Sequence, residues 1–358
     1  MWNKKDLEAK LKYLNELSRN TKDENKKYEI FTDKQVIIEM LELLMGRKLT
    51  IYDSPIFYKQ KISLQKESKQ YESYYSLSFL DLENDLKFCF ELCKNLALLI
   101  PIDNAENIPS ISKEECISEV IDFARKIKDN ELSSYILNTI NDQSHIYLSE
   151  ITKESVFSKY SAVNFELSTF KESYIISPAR SGELLHEIIH TIDSKVNGYY
   201  KSAYPYSDEV PSYTIEIYKN ILDGNIVCLN EILSKAKKTI LLLFPSIKSS
   251  ILSSNDIIES LEFGNIENKT SYLVERLLTM KSYLIGVIFA KKILDNEEEG
   301  LKKFKEMFKT TFPIDKVPDY SRWGITNEVI IDYSKNLTNY FSEYQKERGG
   351  KSLWKKYY

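Results

Sequence analysis

The sequence is poor in the features of disulfide-rich, membrane-spanning and nucleic-acid-binding proteins. Its 358 residues include 4 cysteines, 10 glycines and 9 prolines, and so few cysteines cannot form the disulfide framework of a small secreted domain. The longest apolar runs, at 96–102 and 239–244, fall far short of the roughly 20 residues that a transmembrane helix needs. The 49 basic and 53 acidic residues give a formal net charge of −4, whereas nucleic-acid binding favours a clear basic excess. We therefore expect neither a membrane nor a nucleic-acid partner, and a peptide partner is favoured.

The pattern of the first residues does not predict a targeting signal. Residues 1–7 include lysines but lead directly into a mixed-charge helical pattern at 6–17, without an apolar segment or a small-residue cleavage site. This favours a cytoplasmic location. Cys89 and Cys93 lie four residues apart on one face of a predicted helix, which is more typical of core residues than of metal ligands.

Most of the sequence has the apolar periodicity of α-helices. The apolar fraction of 42% and the charged fraction of 28% are typical of a globular protein. Capping boxes predict helix starts after Thr32 and after Ser112, and further helices are predicted at 6–17, 225–233, 254–263, 272–293 and 326–346. A turn-forming cluster at 141–144 predicts an N-terminal helical lobe at 1–142 and a second lobe at 143–358. The expected fold is mainly α, with two lobes facing across a cleft and a small β-hairpin.

Histidine is also scarce, and its placement is informative. The chain has 3 histidines, of which His186 and His190 belong to one H-E-x-x-H pattern, the signature of zinc peptidases. Residues four apart on a helix project from one face about 6 Å apart along the axis, so both imidazoles can bind one metal ion. An ionisable triplet in a buried helix is costly unless something binds it. We therefore predict one bound Zn²⁺. The pattern is surrounded by apolar residues, namely Leu184, Leu185, Ile188, Ile189 and Ile192.

Glu187 follows the first of these histidines directly. A carboxylate at this position can take a proton from a zinc-bound water, but it is poorly aimed to be a ligand itself. We therefore predict that Glu187 is the general base of a hydrolysis reaction, and that 143–358 is the catalytic lobe.

The third ligand has to come from outside the motif. Asp193 is the nearest downstream carboxylate, but about 10 Å of helix axis separates it from His186, so one ion cannot easily contact both. We expect Asp193 to accept a hydrogen bond from a ligating imidazole or to anchor a neighbouring helix. The extended pattern of metzincins is absent, because neither a glycine nor a third histidine follows His190 at the required spacing. A glutamate from a following helix is the remaining option.

A helix predicted at 207–218 carries two such glutamates. Pro211 is tolerated only in the first turn of a helix, so Glu209 lies near the N-terminus and Glu216 lies two turns further on. The stretch 209–216, Glu-Val-Pro-Ser-Tyr-Thr-Ile-Glu, resembles the Glu-x-Pro-Ser-x-x-x-Glu stretch of the thimet oligopeptidase and oligoendopeptidase F family of gluzincin metallopeptidases. The resemblance implies that Glu209 is the third zinc ligand and that Glu216 lies behind the ligands or on the substrate side.

The resemblance extends to both flanks of the site and covers about the last 200 residues. Two short strands predicted at 162–168 and 174–177 are similar to the hairpin that precedes the zinc helix in that family and pairs with the substrate backbone. Residues 271–308 are similar to the family's long closing helices.

The sequence also departs from the family pattern. Ile189 and Asp193 stand where the family usually has Gly and His. The family places tyrosines and a histidine near the closing helices to stabilise the tetrahedral intermediate, whereas no histidine follows His190 here. Four residues are therefore candidates for that stabilising role, namely Tyr272, Arg276, Tyr283 and His145.

Together these features predict a zinc-dependent endopeptidase or oligopeptidase that hydrolyses short or unfolded peptides. The chain is shorter than we expect of a full family member, which favours a reduced N-terminal lobe and an enzyme dedicated to one peptide, such as a leader-bearing precursor. The alternative is a catalytically inactive, zinc-containing peptide-binding protein, and the intact Glu187 argues against it. Arg180, just before the zinc helix, is expected to bind a carboxylate of the protein or of the substrate. The sequence makes no prediction of the oligomeric state.

Overall fold

A computed structural model describes residues 3–45, 48, 50–52, 54–75, 79–100, 111–142, 145–149, 162–198, 204–225, 227–243, 267–313 and 316–347. In chain order the helices of these ranges are α1 (Lys4–Asn20), α2 (Glu24–Met45), α3 (Pro55–Tyr75), α4 (Phe79–Leu98), α5 (Lys113–Lys126), α6 (Asn130–Asn141), α7 (Ser181–Asn197), α8 (Glu209–Leu222), α9 (Val227–Leu243), α10 (Glu267–Asp295), α11 (Glu297–Phe308) and α12 (Asn327–Glu347). The strands are β1 (Ile146–Ser149), β2 (Val163–Leu167) and β3 (Glu172–Pro178). The mainly α fold with a small sheet is confirmed. The helix predicted at 254–263 lies outside the described residues.

The chain forms two compact units. The first contains Met1–Leu77 and Ser110–Lys201, and the second contains Ser78–Pro109 and Ser202–Tyr358. Helix α4 and helices α8 to α12 therefore belong to the second unit, and the other helices and the sheet belong to the first. The boundary predicted near residue 142 lies inside the first unit, and as a functional boundary it stays a prediction.

The two predicted capping boxes have different outcomes. Ser112 caps α5 as expected, since its hydroxyl accepts a hydrogen bond from the Glu115 N–H at 3.2 Å and the Glu115 carboxylate accepts one from the Ser112 N–H at 3.0 Å. The prediction of a capping box at Thr32 is wrong, because α2 runs through this position and the Thr32 hydroxyl donates to the Tyr28 carbonyl at 3.1 Å. Asp23 accepts hydrogen bonds from N–H groups at the start of the helix instead, so a better cap lies two turns upstream.

The sheet has the order β1-β3-β2, with β1 parallel and β2 antiparallel to β3. The pairing of β2 with β3 confirms the predicted hairpin. Phe165 lies opposite Tyr174 in this register, and both pack into a core with the apolar faces of α1, α2 and α3. The other face of the hairpin contacts α7. The hairpin thus forms the layer on which α7, the helix that contains the H-E-x-x-H pattern, lies.

Helix α10 is the centre of the second unit and contacts α4, α8, α9, α11 and α12. It is apolar around most of its circumference over residues 283–290, as expected of a helix enclosed by neighbours. Cys89 and Cys93 of α4 are fully buried core residues, as predicted, and burial raises the pKa of the Cys93 thiol to about 12. None of the described helices has both the length and the apolarity to cross a lipid bilayer.

Candidate metal centre

Helix α7 holds the H-E-x-x-H pattern in its middle. His186 and His190 lie on one face, with their Nε2 atoms 3.2 Å apart and their ring planes at 66°. The predicted burial of the helix is confirmed. The apolar neighbours of the motif are all exposed by 1% or less, namely Leu184, Leu185, Ile188, Ile189 and Ile192.

The spacing of the two imidazoles fits a shared metal ion. Two nitrogens at about 2.0–2.1 Å from a tetrahedral zinc are about 3.3 Å apart, close to the separation of His186 and His190. A hydrogen-bonded imidazole pair has a similar separation, so a third ligand is needed to distinguish them. One ligand atom from each of His186, His190 and Glu209 lies within 4.8 Å of the other two. Among the described residues, no other group of three His, Cys, Asp or Glu side chains brings its ligand atoms this close together.

The turn before α8 fixes the position of Glu209. The Glu209 N–H donates to the Tyr206 carbonyl at 3.3 Å, and the Ser282 hydroxyl of α10 donates to the same carbonyl at 2.7 Å. Tyr206 has a φ of 61°, which is uncommon for a residue with a side chain. Tyr204 holds the start of the turn, because its buried hydroxyl donates to Asp85 of α4. Glu209 therefore begins its helix from a turn that two other helices hold.

Tyr206 is a residue that sequence reasoning missed. Burial raises the pKa of its hydroxyl, and the nearby carboxylates of Glu275 and Glu209 raise it further. A neutral hydroxyl near the Glu209 carboxylate can donate a hydrogen bond. The signal available in the sequence was its position three residues before the Glu-x-Pro-Ser stretch.

The other predicted carboxylates are buried or half-buried. Glu187 is 5% exposed. Asp193 is also buried and accepts a hydrogen bond from the Asn197 Nδ2 at 2.6 Å, which fixes the last turn of α7. Glu216 is half-buried two turns into α8. The roles assigned to these three carboxylates stay predictions.

The candidates for transition-state stabilisation have varied surroundings. The Arg276 Nη1 is 3.4 Å from the Thr239 hydroxyl of α9. Tyr283 is buried, and its ring meets that of Tyr213 edge-on at 5.4 Å. The side chain of Tyr272 lies outside the described residues. Their role in catalysis stays a prediction.

His145 is held at the start of β1. Its Nδ1 lies 3.0 Å from the Ser173 carbonyl oxygen, and its ring stacks on that of Tyr174 at 4.6 Å. Because a carbonyl only accepts, Nδ1 carries the proton of this hydrogen bond. The Nε2 atom is then the nitrogen that could act in chemistry.

Polar contacts also fix the first turn and the middle of α7. Arg180 forms an ion pair with Glu183 in the first turn of α7, with 2.6 Å between Nη1 and Oε1, which confirms its expected contact with a protein carboxylate. The Asn164 Nδ2 of β2 donates to the Thr191 hydroxyl at 3.2 Å. This bond ties the hairpin to the residue after His190, and sequence reasoning missed it because strand and helix are far apart in the chain.

No protein-family model matches the chain, and no curated protein matches it. Among solved structures, it is similar to the crystal structure of a candidate oligoendopeptidase F from Bacillus anthracis str. Ames, with 11% sequence identity and a TM-score of 0.45. The match covers 80% of this chain and 61% of that chain, so this chain spans less than two thirds of the length of that protein. The functional assignment therefore rests on the site itself.

Proposed function

We propose that the chain is a zinc-dependent peptidase that acts on short or unfolded peptides, in which His186, His190 and Glu209 hold Zn²⁺ and Glu187 is the general base. The observation that carries this proposal is the approach of three ligand atoms within 4.8 Å of one another, two of them from an H-E-x-x-H helix. Two imidazoles and one carboxylate form a donor set that suits catalytic zinc. A cytoplasmic place of action is part of the proposal.

In this proposal each residue has a defined task. Zinc, when bound, would polarise the scissile carbonyl and lower the pKa of a water toward about 7. Glu187 takes a proton from the attacking water as the new C–O bond forms, and it returns that proton to the amide nitrogen as the C–N bond breaks. Its low exposure favours this role, because a desolvated carboxylate is a better proton acceptor than a solvated one.

The edge of the β2–β3 hairpin favours an extended peptide as the substrate. In the order β1-β3-β2, strand β2 has a strand partner on one side only among the described residues. An extended peptide can add to such an edge through main-chain hydrogen bonds, and only short or unfolded substrates present a free extended backbone. Asn164 links this strand to α7, so a peptide on β2 would be held at a fixed distance from the motif helix.

The deciding experiment replaces Glu187 by glutamine. Glu187→Gln preserves the side-chain shape and both histidines, so it should keep one equivalent of zinc and still bind peptide. It should cleave a peptide library at least about 10²-fold more slowly than the wild type, since a positioned general base contributes about that much. Chelation should abolish wild-type cleavage, and added zinc should restore it.

Glu183→Gln is the matched control on the same helix, because Glu183 pairs with Arg180 at the start of α7. It should retain wild-type cleavage. If the wild type binds zinc and peptide but cleaves no member of the library, the peptide-binding alternative replaces the enzyme. If Glu187→Gln cleaves as fast as the wild type, the base lies elsewhere, and His145 is the next residue to test.

A further inference from the structure

A polar cavity of about 230 Å³ lies at the start of α12 in the second unit. Its wall is formed by Lys281 of α10, by the segment 318–321, and by residues 325–328 and Ile330 around the beginning of α12. Since a water occupies about 30 Å³, the cavity has room for a small polar molecule of several heavy atoms.

The side chain of Lys281 gives the cavity a buried cation. Lys281 is 7% exposed, and its Nζ lies 2.5 Å from one oxygen of Asp85, whose other oxygen accepts from Tyr204. An ammonium has three N–H groups, and Asp85 is the hydrogen-bond acceptor for Lys281 among the described residues. Donors therefore remain for a ligand in the cavity that this residue lines.

Tyr320 adds a hydroxyl group to the lining of the same cavity. The residue is 4% exposed, and its ring packs against Phe312 and Trp323 at centroid distances of 5.0 and 5.9 Å. Its hydroxyl makes no hydrogen bond to any residue that the structure describes. Burial raises the pKa of Tyr320, so the hydroxyl stays protonated and can donate. Because Tyr320 lines the cavity, its hydroxyl can donate a hydrogen bond to a ligand oxygen there.

The start of α12 and the rim carry charges of opposite sign. Helix α12 has 21 residues, and the positive end of its dipole favours an anion at the N-terminus. Asp319 and Glu328 are exposed at the rim, and hydrogen bonds, from Ser321 to Asp319 and from Thr326 to Glu328, hold the pKa of both carboxyls below its ordinary value. The cavity thus offers donors to an anion and carboxylates to a cation.

We propose that this cavity binds a free α-amino acid. Its carboxylate accepts hydrogen bonds from Lys281, Tyr320 and the N-terminal turn of α12, and its ammonium pairs with Asp319 or Glu328. A divalent cation is disfavoured, because none of the described lining residues belongs to a cluster of three potential metal ligands. This binding site does not depend on the proposed peptidase activity.

The proposal is tested by calorimetric titration of the full chain with each of the common L-amino acids. At least one should bind, while its carboxamide and its N-acetyl derivative, which each lack one charge, should bind at least tenfold more weakly. Tyr320→Phe removes one hydroxyl and keeps the ring, and it should weaken binding about tenfold, the scale of a hydrogen bond to a charged group. The same titrations in the presence of a chelator should give the same affinities.

Tyr333→Phe is the matched control, because Tyr333 lies on α12 but does not line the cavity, and it should bind like the wild type. Lys281→Met should abolish binding. Because loss of the Lys281 ammonium could disturb its buried pair with Asp85, circular dichroism first checks that Lys281→Met is folded. If Lys281→Met is unfolded, Tyr320→Phe alone decides the test. The proposal fails if no amino acid binds at 10 mM, a general upper bound for a specific site (about −3 kcal/mol), if the carboxamide binds equally well, or if Tyr320→Phe binds like the wild type.

Discussion

Gly286 of α10 lies directly against Tyr213 of α8. A Cβ added to this glycine would be 2.8 Å from the Tyr213 Cβ and 3.1 Å from the Thr214 backbone nitrogen. Backbone atoms cannot move aside as a flexible side chain can, so the two helices approach this closely only because residue 286 has no side chain. The proposed ligand Glu209 lies one turn before Tyr213, and its position therefore depends on this contact.

Gly286→Ala should displace α8 and weaken zinc binding. Overpacking of this kind costs about 1–3 kcal/mol, and the shift of α8 moves the Glu209 carboxylate. Gly300→Ala is the control. Its added Cβ would be 2.5 Å from the backbone of Ile293, so this variant should destabilise the second unit without moving Glu209. Thermal unfolding and zinc titration of both variants check this. Wild-type zinc affinity in a folded Gly286→Ala variant would contradict it.

The two glutamates of α8 should differ in their effect on zinc. Glu209→Ala removes a proposed ligand and should lower zinc affinity by more than about 100-fold, whereas Glu216→Ala should cost about tenfold, as loss of a group behind the ligands does. Competition with a chromogenic chelator measures both affinities. If Glu216→Ala loses zinc and Glu209→Ala retains it, the next turns of α8 carry the ligand.

The contact between Lys10 and Glu172 should make stability depend on pH. Burial alone would raise the pKa of Glu172, but hydrogen bonds from Lys10 and Tyr174 and the charge of Lys10 hold it below its ordinary value. The folded-state pKa is therefore lower than the unfolded one. The stabilisation is present above the unfolded pKa and is lost as the pH falls through the folded pKa.

Glu172→Gln should therefore cost about 1 kcal/mol of unfolding free energy at pH 7 and much less near pH 3. Urea unfolding at both pH values measures the difference. Glu8→Gln is the control, since Glu8 and Lys4 are both well exposed and 3.9 Å apart, and an exposed pair contributes little. An equal cost of Glu172→Gln at both pH values would show that the ion pair is not the cause.

Asp33 of α2 should control the stability of the β2–β3 turn. This buried carboxylate accepts from the Ser168 N–H at 2.9 Å and from the Thr169 N–H at 2.8 Å. Asp33→Ala leaves both donors without this acceptor and should cost about 2–3 kcal/mol. Amide hydrogen exchange should become faster at 163–178, while Asp23→Ala, which removes the α2 cap, should leave exchange in the hairpin unchanged. Unchanged exchange in Asp33→Ala would refute the proposed link.

Local patterns predicted the elements of the site, because their physics is local. The spacing of His186 and His190 requires only a helix, and Pro211 alone places Glu209 in a first turn. The Thr32 box failed because a local capping motif competes with burial, and Ile30 and Phe31 extend the buried face of α2 across it. Long-range contacts, such as that between Lys281 and Asp85, leave no periodic trace in the sequence, so the cavity near Tyr320 was not predicted.

Helix α4 is synthesised long before most of the unit to which it belongs. It belongs to the second unit, yet it leaves the ribosome before residues 110–201 complete the first unit and before α9, α10 and α12, against which it packs, have been made. Its buried face, with Phe90, Leu92 and Leu96, must therefore stay unpaired during the translation of more than a hundred further residues. Because an exposed apolar face of this kind promotes aggregation, truncated chains that end near residue 142 or 201 should require a chaperone or precipitate. Neither unit can be produced as a single uninterrupted fragment.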